Sequence, residues 1–124
     1  MKIATIIARL LLGLIFTVFG LNAFLHFIPM PPPPAGLASD YFQALFMSHY
    51  FYVVAVVQIV GGLILLGGRF TALALTLLGP VIVNILCFHI FLNHQGWQLA
   101  AAVSVLALFL LWRYRGNFAG LLKA

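Results

Sequence analysis

Five polar side chains lie within segments that are otherwise almost wholly apolar. They are Asn22, His26, Gln58, Asn84 and His89. Amides and imidazoles are costly to place in the hydrocarbon layer of a membrane, so they are candidates for function when they occur there. We predict that these five side chains are hydrogen-bond partners for a lipid-like or quinone-like molecule.

The spacing of these residues suggests a common depth for three of them. Asn22, Gln58 and Asn84 lie about 9 to 12 Å below the same ends of their predicted helices, at about 1.5 Å per residue. His26 follows Asn22 by one helical turn and shares its face, whereas His89 points about 140° from Asn84 on an ideal helix. The competing interpretation is that the three amides only hydrogen-bond one another and hold a helix bundle together.

Other chemistry is less well supported. Asp40 is the only acidic residue, so the apolar segments contain no carboxylate for a di-iron site or a glycosidase pair, and we predict no catalytic residue. Four histidines (His26, His49, His89 and His94) invite a metal or haem hypothesis, with His26 and His89 as axial ligands. No His-x-x-x-His pair is present, and we predict no metal site.

The elements that position these residues follow from composition. Of 124 residues, 65% are hydrophobic and only 6% are charged, compared with about 25% charged in soluble domains. Four apolar segments approach the length needed to span a bilayer. The sequence therefore predicts a single all-α domain, an integral membrane four-helix bundle, with helices at about 3–28, 50–66, 70–92 and 97–112.

The first two predicted spans are joined by the longest connection. Residues 29–34 contain five prolines, which favour an extended loop at the membrane surface. Ser39 and Asp40 can cap a short interfacial helix at about 41–48, on which Phe42 and Phe46 share one face.

Basic residues predict the orientation. All six fall on the side shared by the N-terminus, the second connection and the C-terminus: Lys2, Arg9, Arg69, Arg113, Arg115 and Lys123. The positive-inside rule places this side and both termini in the cytoplasm and the proline-rich loop outside. The net charge of +5 therefore indicates topology rather than nucleic-acid binding, and Arg9 is expected to reach lipid phosphates.

Small residues predict where helices pack. Gly13 and Gly20 form a stripe with Thr17 on the first helix, nearly opposite Asn22, and Gly61 and Gly62 share a helix face with Gln58. On the third span, Pro80 leaves the carbonyl of Thr76 without its usual donor, which predicts a kink.

Three stretches, in this order, resemble the DoxX-like family of small bacterial membrane proteins. They are Arg9-Leu-Leu-Leu-Gly13-Leu-Ile-Phe16 with Gly20-Leu21-Asn22, then Gly61-Gly62-Leu-Ile-Leu-Leu-Gly67-Gly68-Arg69, then Pro80-Val-Ile-Val-Asn84-Ile-Leu-Cys-Phe88-His89. The resemblance implies a multi-pass bundle in the bacterial inner membrane, with relatives in quinone-reducing and oxidative-stress systems. Many relatives carry a glutamate before the Gly-Gly pair where this chain has Gln58, which favours binding over catalysis.

These observations lead to two functional predictions. The first is an accessory protein or complex subunit linked to quinone-dependent redox chemistry, with a quinone or lipid as its bound molecule. The second is a purely structural subunit that packs through its glycine stripe against itself or a larger membrane complex. Membrane lipids are expected partners in both cases, and nucleic acid is not.

Overall fold

The computed structural model describes residues 2–25, 35–92 and 97–119, and these ranges contain helices and turns but no strand. The elements are α1 (Lys2–Leu25), α2 (Leu37–Met47), α3 (Tyr50–Gly67), α4 (Thr71–Cys87) continued by a π-helical turn (Phe88–Leu92), α5 (Trp97–Arg113) and α6 (Arg115–Phe118). The all-α class predicted from the sequence is confirmed. His26, His94 and the proline-rich loop lie outside the described residues.

Three helices in the described ranges are long and apolar enough to cross a membrane. They are α1, α3, and α4 together with its π-helical turn, and each contains an 18-residue stretch with a mean hydropathy of 2.2. α5 is also apolar but has only 17 residues. The structure is therefore compatible with a membrane helical bundle of three to four spans.

The four long helices pack in a ring. α1 lies along α3, α3 packs against α4, α4 against α5, and α5 returns to α1. The centre is closed by four fully buried leucines, one from each helix: Leu12, Leu65, Leu78 and Leu110. The outward faces remain apolar, as Val53 on α3 and Val105 on α5 are 61% and 65% exposed. Lipid is the solvent that such faces require.

The short helix α2 begins one turn earlier than expected. Gly36 precedes it with φ at 109°, and neither Ser39 nor Asp40 caps it with a side chain. Glycine adopts this backbone conformation without steric cost, so the turn falls before Leu37. Ser39 and Asp40 then lie inside the first turn, where the carboxylate of Asp40 is placed favourably against the helix dipole.

The backbones of α1 and α3 are in direct contact. A Cβ atom added to Gly62 would lie 2.7 Å from the Thr17 nitrogen and 2.8 Å from the Gly13 oxygen. The Thr17 hydroxyl donates to the Gly13 carbonyl at 2.7 Å, which turns its polar atom back into its own helix. Small residues on both helices permit this approach, which maximises van der Waals contact in the absence of a hydrophobic driving force.

The other two predicted packing glycines also lie at helix contacts within the chain. Gly20 faces Ala55 and Ile59 of α3, and Gly61 faces Leu78 of α4. The glycine stripe is consequently occupied by intramolecular contacts.

Gly62→Ala is expected to destabilise the bundle by about 1 to 3 kcal/mol, because backbone atoms of α1 cannot give way to a methyl group. Gly79→Ala is the matched control: it lies in α4, where an added Cβ meets nothing within 4 Å, and alanine favours the helix. Thermal unfolding in mild detergent measures both. Equal melting temperatures for the two variants would contradict the close contact.

Arg9 on α1 contacts the C-terminal end of α3. Its guanidinium Nη1 donates to the carbonyl of Leu65 and lies 3.5 Å from that of Leu66. The last carbonyls of a helix lack intrahelical donors and carry the negative end of the dipole, so a cation is stabilising there. Arg9 is therefore half-buried and held at the end of α3 through Nη1. The expectation that it also reaches lipid phosphates stays a prediction.

Gly68 provides the space for this arginine. It ends α3 with φ at 79°, and a Cβ there would lie 2.9 Å from Arg9 Nη1. An alanine would combine an unfavourable left-handed backbone with this contact.

We expect Gly68→Ala to lower the unfolding free energy by about 1 to 2 kcal/mol. The neighbouring change Gly67→Ala should have little effect, since its added Cβ meets nothing within 4 Å. Chemical denaturation in detergent compares the pair. If Gly67→Ala proved the more damaging change, the assigned role of Gly68 would be wrong.

Candidate functional site

Two of the predicted ligand-binding residues project in different directions. Asn22 is buried on α1 and points about 160° away from Gly20 on an ideal helix, hence away from α3. Gln58 is half-buried on α3, on the side of Gly61 and Gly62, which face α4 and α1. Asn22 and Gln58 therefore do not project toward each other as a shared pair.

Asn84 does not face the interior of the bundle. It projects about 160° from the buried Ile82 on an ideal helix, and its side chain is exposed on the outer surface of α4. Its Nδ2 donates to the hydroxyl of Tyr41 on α2 at 2.7 Å. The apolar residues of α4 occupy its inner face, so Asn84 points outward and contacts α2. The common depth of the three amides stays a prediction.

Aromatic rings surround this hydrogen bond. The Tyr41 ring lies 5.4 Å from that of Phe88, and Phe42 meets Phe88 edge-to-face at 5.1 Å. His89 meets Phe88 at 5.3 Å, also edge-to-face. These separations are typical of favourable aromatic pairs. We call Tyr41, Phe42, Asn84, Phe88 and His89 the Tyr41 cluster, which joins α2 to the π-helical turn.

The Tyr41–Asn84 pair retains hydrogen-bonding capacity. The Tyr41 oxygen accepts from Asn84, so the phenolic hydrogen can be donated elsewhere, and no described residue donates to Asn84 Oδ1. One donor and one acceptor thus lie side by side against aromatic faces. This arrangement suits a planar ring that carries carbonyl or hydroxyl groups.

A second aromatic group lies where α2 meets α3. His49, with φ at 61°, stacks on Tyr52 at 5.9 Å, and Tyr52 stacks on Phe24 of α1 at 5.0 Å. The His49 ring is thus engaged by an aromatic neighbour. Across residues 2–25, 35–92 and 97–119, no three His, Cys, Asp or Glu side chains come together.

An apolar cavity of about 240 Å³ separates α4 from α5, lined by Leu75, Gly79, Ile82, Leu108 and Ser104 among others. The Ser104 hydroxyl donates to the Ala100 carbonyl of its own helix at 2.8 Å. The cavity therefore presents a hydrocarbon surface with little means of polar recognition.

Sequence reasoning identified Asn84 and His89 but missed Tyr41 and Phe88. One signal was present, because Asn84 and Phe88 are four residues apart and share a helix face. Nothing in the sequence specified that α2 would fold back on that face, so the role of Tyr41 appeared only with the tertiary structure.

Comparison of the chain with protein-family models, with curated proteins and with solved structures finds no match. The resemblance to the DoxX-like family stays a prediction from the three stretches that begin at Arg9, Gly61 and Pro80.

Proposed function

We propose that this chain is an accessory or complex subunit of the DoxX-like kind, linked to quinone-dependent redox chemistry, that binds the headgroup of a quinone or a similar lipid at the Tyr41 cluster. The observation that carries the proposal is the hydrogen bond from Asn84 to Tyr41 beside Phe42 and Phe88. An exposed amide on an apolar helix is costly unless it has a partner or a ligand.

The chemistry of the pair matches a quinone headgroup. A quinone carbonyl accepts a hydrogen bond, which the Tyr41 hydroxyl can donate, and a quinol hydroxyl can donate to Asn84 Oδ1. The rings of Phe42 and Phe88 offer apolar faces and edges to the planar headgroup. Because Asn84 lies on the outer surface of α4, such a molecule can arrive directly from the lipid phase.

The proposed role is binding rather than catalysis. A phenol and an amide orient a carbonyl by hydrogen bonds, but neither group donates electrons to a quinone. The redox step is therefore assigned to a partner enzyme. The structural alternative is less well supported, because Gly13 and Gly62, through which it would act, are buried against each other within the chain.

Binding is tested with decylubiquinone added to the full chain in nanodiscs of phosphatidylcholine, followed by quenching of intrinsic fluorescence. Tyr41→Phe keeps the ring but removes one hydrogen bond, so affinity should fall roughly three- to tenfold. Asn84→Leu should weaken binding at least as much. It removes the Oδ1 acceptor and also the amide that donates to the Tyr41 hydroxyl.

The matched controls are Tyr50→Phe and Asn117→Leu, which alter exposed residues outside the cluster and should leave affinity unchanged. Saturable binding that responds only to the cluster variants supports the proposal. Absence of saturable binding, or equal losses in cluster and control variants, overturns it.

We also propose that the basic end of the bundle faces the cytoplasm of a bacterial cell, in the inner membrane. The support is that contacts between α1, α3 and α5 bring basic residues together: Arg9 reaches Leu65, and Arg113 Nε donates to Thr5 Oγ1 at 3.0 Å. A concentration of Lys and Arg at one end of apolar helices marks the cytoplasmic side.

Orientation is measured by maleimide labelling in intact cells. In a Cys87→Ser background, which removes the only cysteine, Gln43→Cys should react with a membrane-impermeant maleimide, whereas Asn117→Cys should react only after permeabilisation. Both positions are exposed, so accessibility differs only by side. The reverse pattern would place the basic end outside.

A further inference from the structure

A cavity of about 330 Å³ opens at the basic end of the bundle, where Lys2, Arg9 and Arg113 lie. The Tyr41 cluster is at the other end. The lining of the cavity includes Lys2, Thr5, Arg9, Gly68, Arg113 and Tyr114. Three of the six basic residues of the chain thus converge on one space. A volume near 300 Å³ lies at the small end of the range for ligand sites.

Two arginines are held in position around this cavity. Arg9 uses Nη1 for the α3 carbonyls, and no described residue accepts from its Nη2 or Nε. Arg113 uses Nε for the Thr5 hydroxyl at 3.0 Å, which leaves both of its terminal nitrogens for a ligand. Guanidinium groups fixed in this way present the parallel donors that phosphate oxygens accept.

Among residues 2–25, 35–92 and 97–119, no acidic side chain lines this cavity. Asp40 is the only acidic residue in the sequence, and it lies on α2, which packs against α3 and the π-helical turn that follows α4. The first turn of α1 adds the positive end of its dipole to the same cavity. Converging cations without a carboxylate are stabilised when an anion occupies the space between them.

We propose that this cavity binds the phosphate group of an anionic phospholipid through Lys2, Arg9 and Arg113. A lipid source is favoured by position, because the cavity lies at the end of apolar spans, where headgroups are found. Arg115 and Arg113 also flank the exposed ring of Trp112, with guanidinium carbons 5.1 and 5.9 Å from the ring centroid. Tryptophan beside basic residues is typical of the membrane interface.

The test is native mass spectrometry of the full chain, titrated with phosphatidylglycerol or phosphatidylcholine, and separately with inorganic phosphate as competitor. The double variant Lys2→Gln/Arg113→Gln removes two cavity cations and keeps Arg9, which the fold requires. We expect its affinity for phosphatidylglycerol to fall about 30-fold.

The control is Arg69→Gln/Arg115→Gln, which changes the net charge equally at the same end but alters no cavity residue. It should retain affinity within about twofold. Melting temperatures of both variants identify a loss of fold, and the single change Lys2→Gln, on an exposed side chain, provides a milder second measurement.

Each outcome decides the proposal. A preference for phosphatidylglycerol that only the cavity variant loses supports the lipid phosphate. Saturation by inorganic phosphate with the same variant dependence, and no lipid preference, overturns the lipid source and assigns the cavity to a soluble phosphate. Equal losses in both double variants show that general surface charge is responsible and overturn the site.

Discussion

The contact between the backbones of α1 and α3 is the constraint on which the other features depend. Because Gly13 and Gly62 allow the two helices to approach closely, Arg9 can reach the last carbonyls of α3. The same approach lets the buried leucines of the core pack together. A larger residue at either glycine would separate the helices and break the link between Arg9 and Leu65. The packing of two small residues therefore determines an electrostatic contact about one helical turn away.

The two ends of the bundle differ in how they satisfy polar groups. At the basic end, cations meet backbone carbonyls and a threonine hydroxyl. At the other end, amide, phenol and imidazole groups lie among aromatic rings. One end is thus suited to an anion and the other to a neutral polar headgroup, although the same apolar helices connect them.

Much of the fold followed from simple patterns in the sequence. Apolar length predicted the long helices, and spacing of small residues correctly marked Gly62 and Gly61 as points of close approach, because both properties are local. The start of α2 was misplaced because the unusual backbone of Gly36 outweighed the capping tendency of Ser39.

The candidate site could be predicted only in part, since it depends on contacts distant in sequence. The depth of Asn84 along its helix could be predicted from its sequence position. The direction of its side chain depends on which face of α4 is buried, and its partner Tyr41 is 43 residues away. The contact between Arg9 and α3 was missed for the same reason: nothing near Arg9 in the sequence indicates that the end of α3 lies within its reach. Periodicity describes one helix at a time, whereas sites of this kind form between helices.

The link between Arg9 and α3 also has a consequence for biogenesis. Domains form from the N-terminus onward during synthesis, so α1 enters the membrane before its partner exists. A lone arginine within an inserted helix is unfavourable by up to about 3 kcal/mol at the bilayer centre and by less near the ends. Once the C-terminal turn of α3 emerges, its carbonyls supply the missing acceptors. Arg9 therefore has these protein acceptors only when α1 and α3 are both in place.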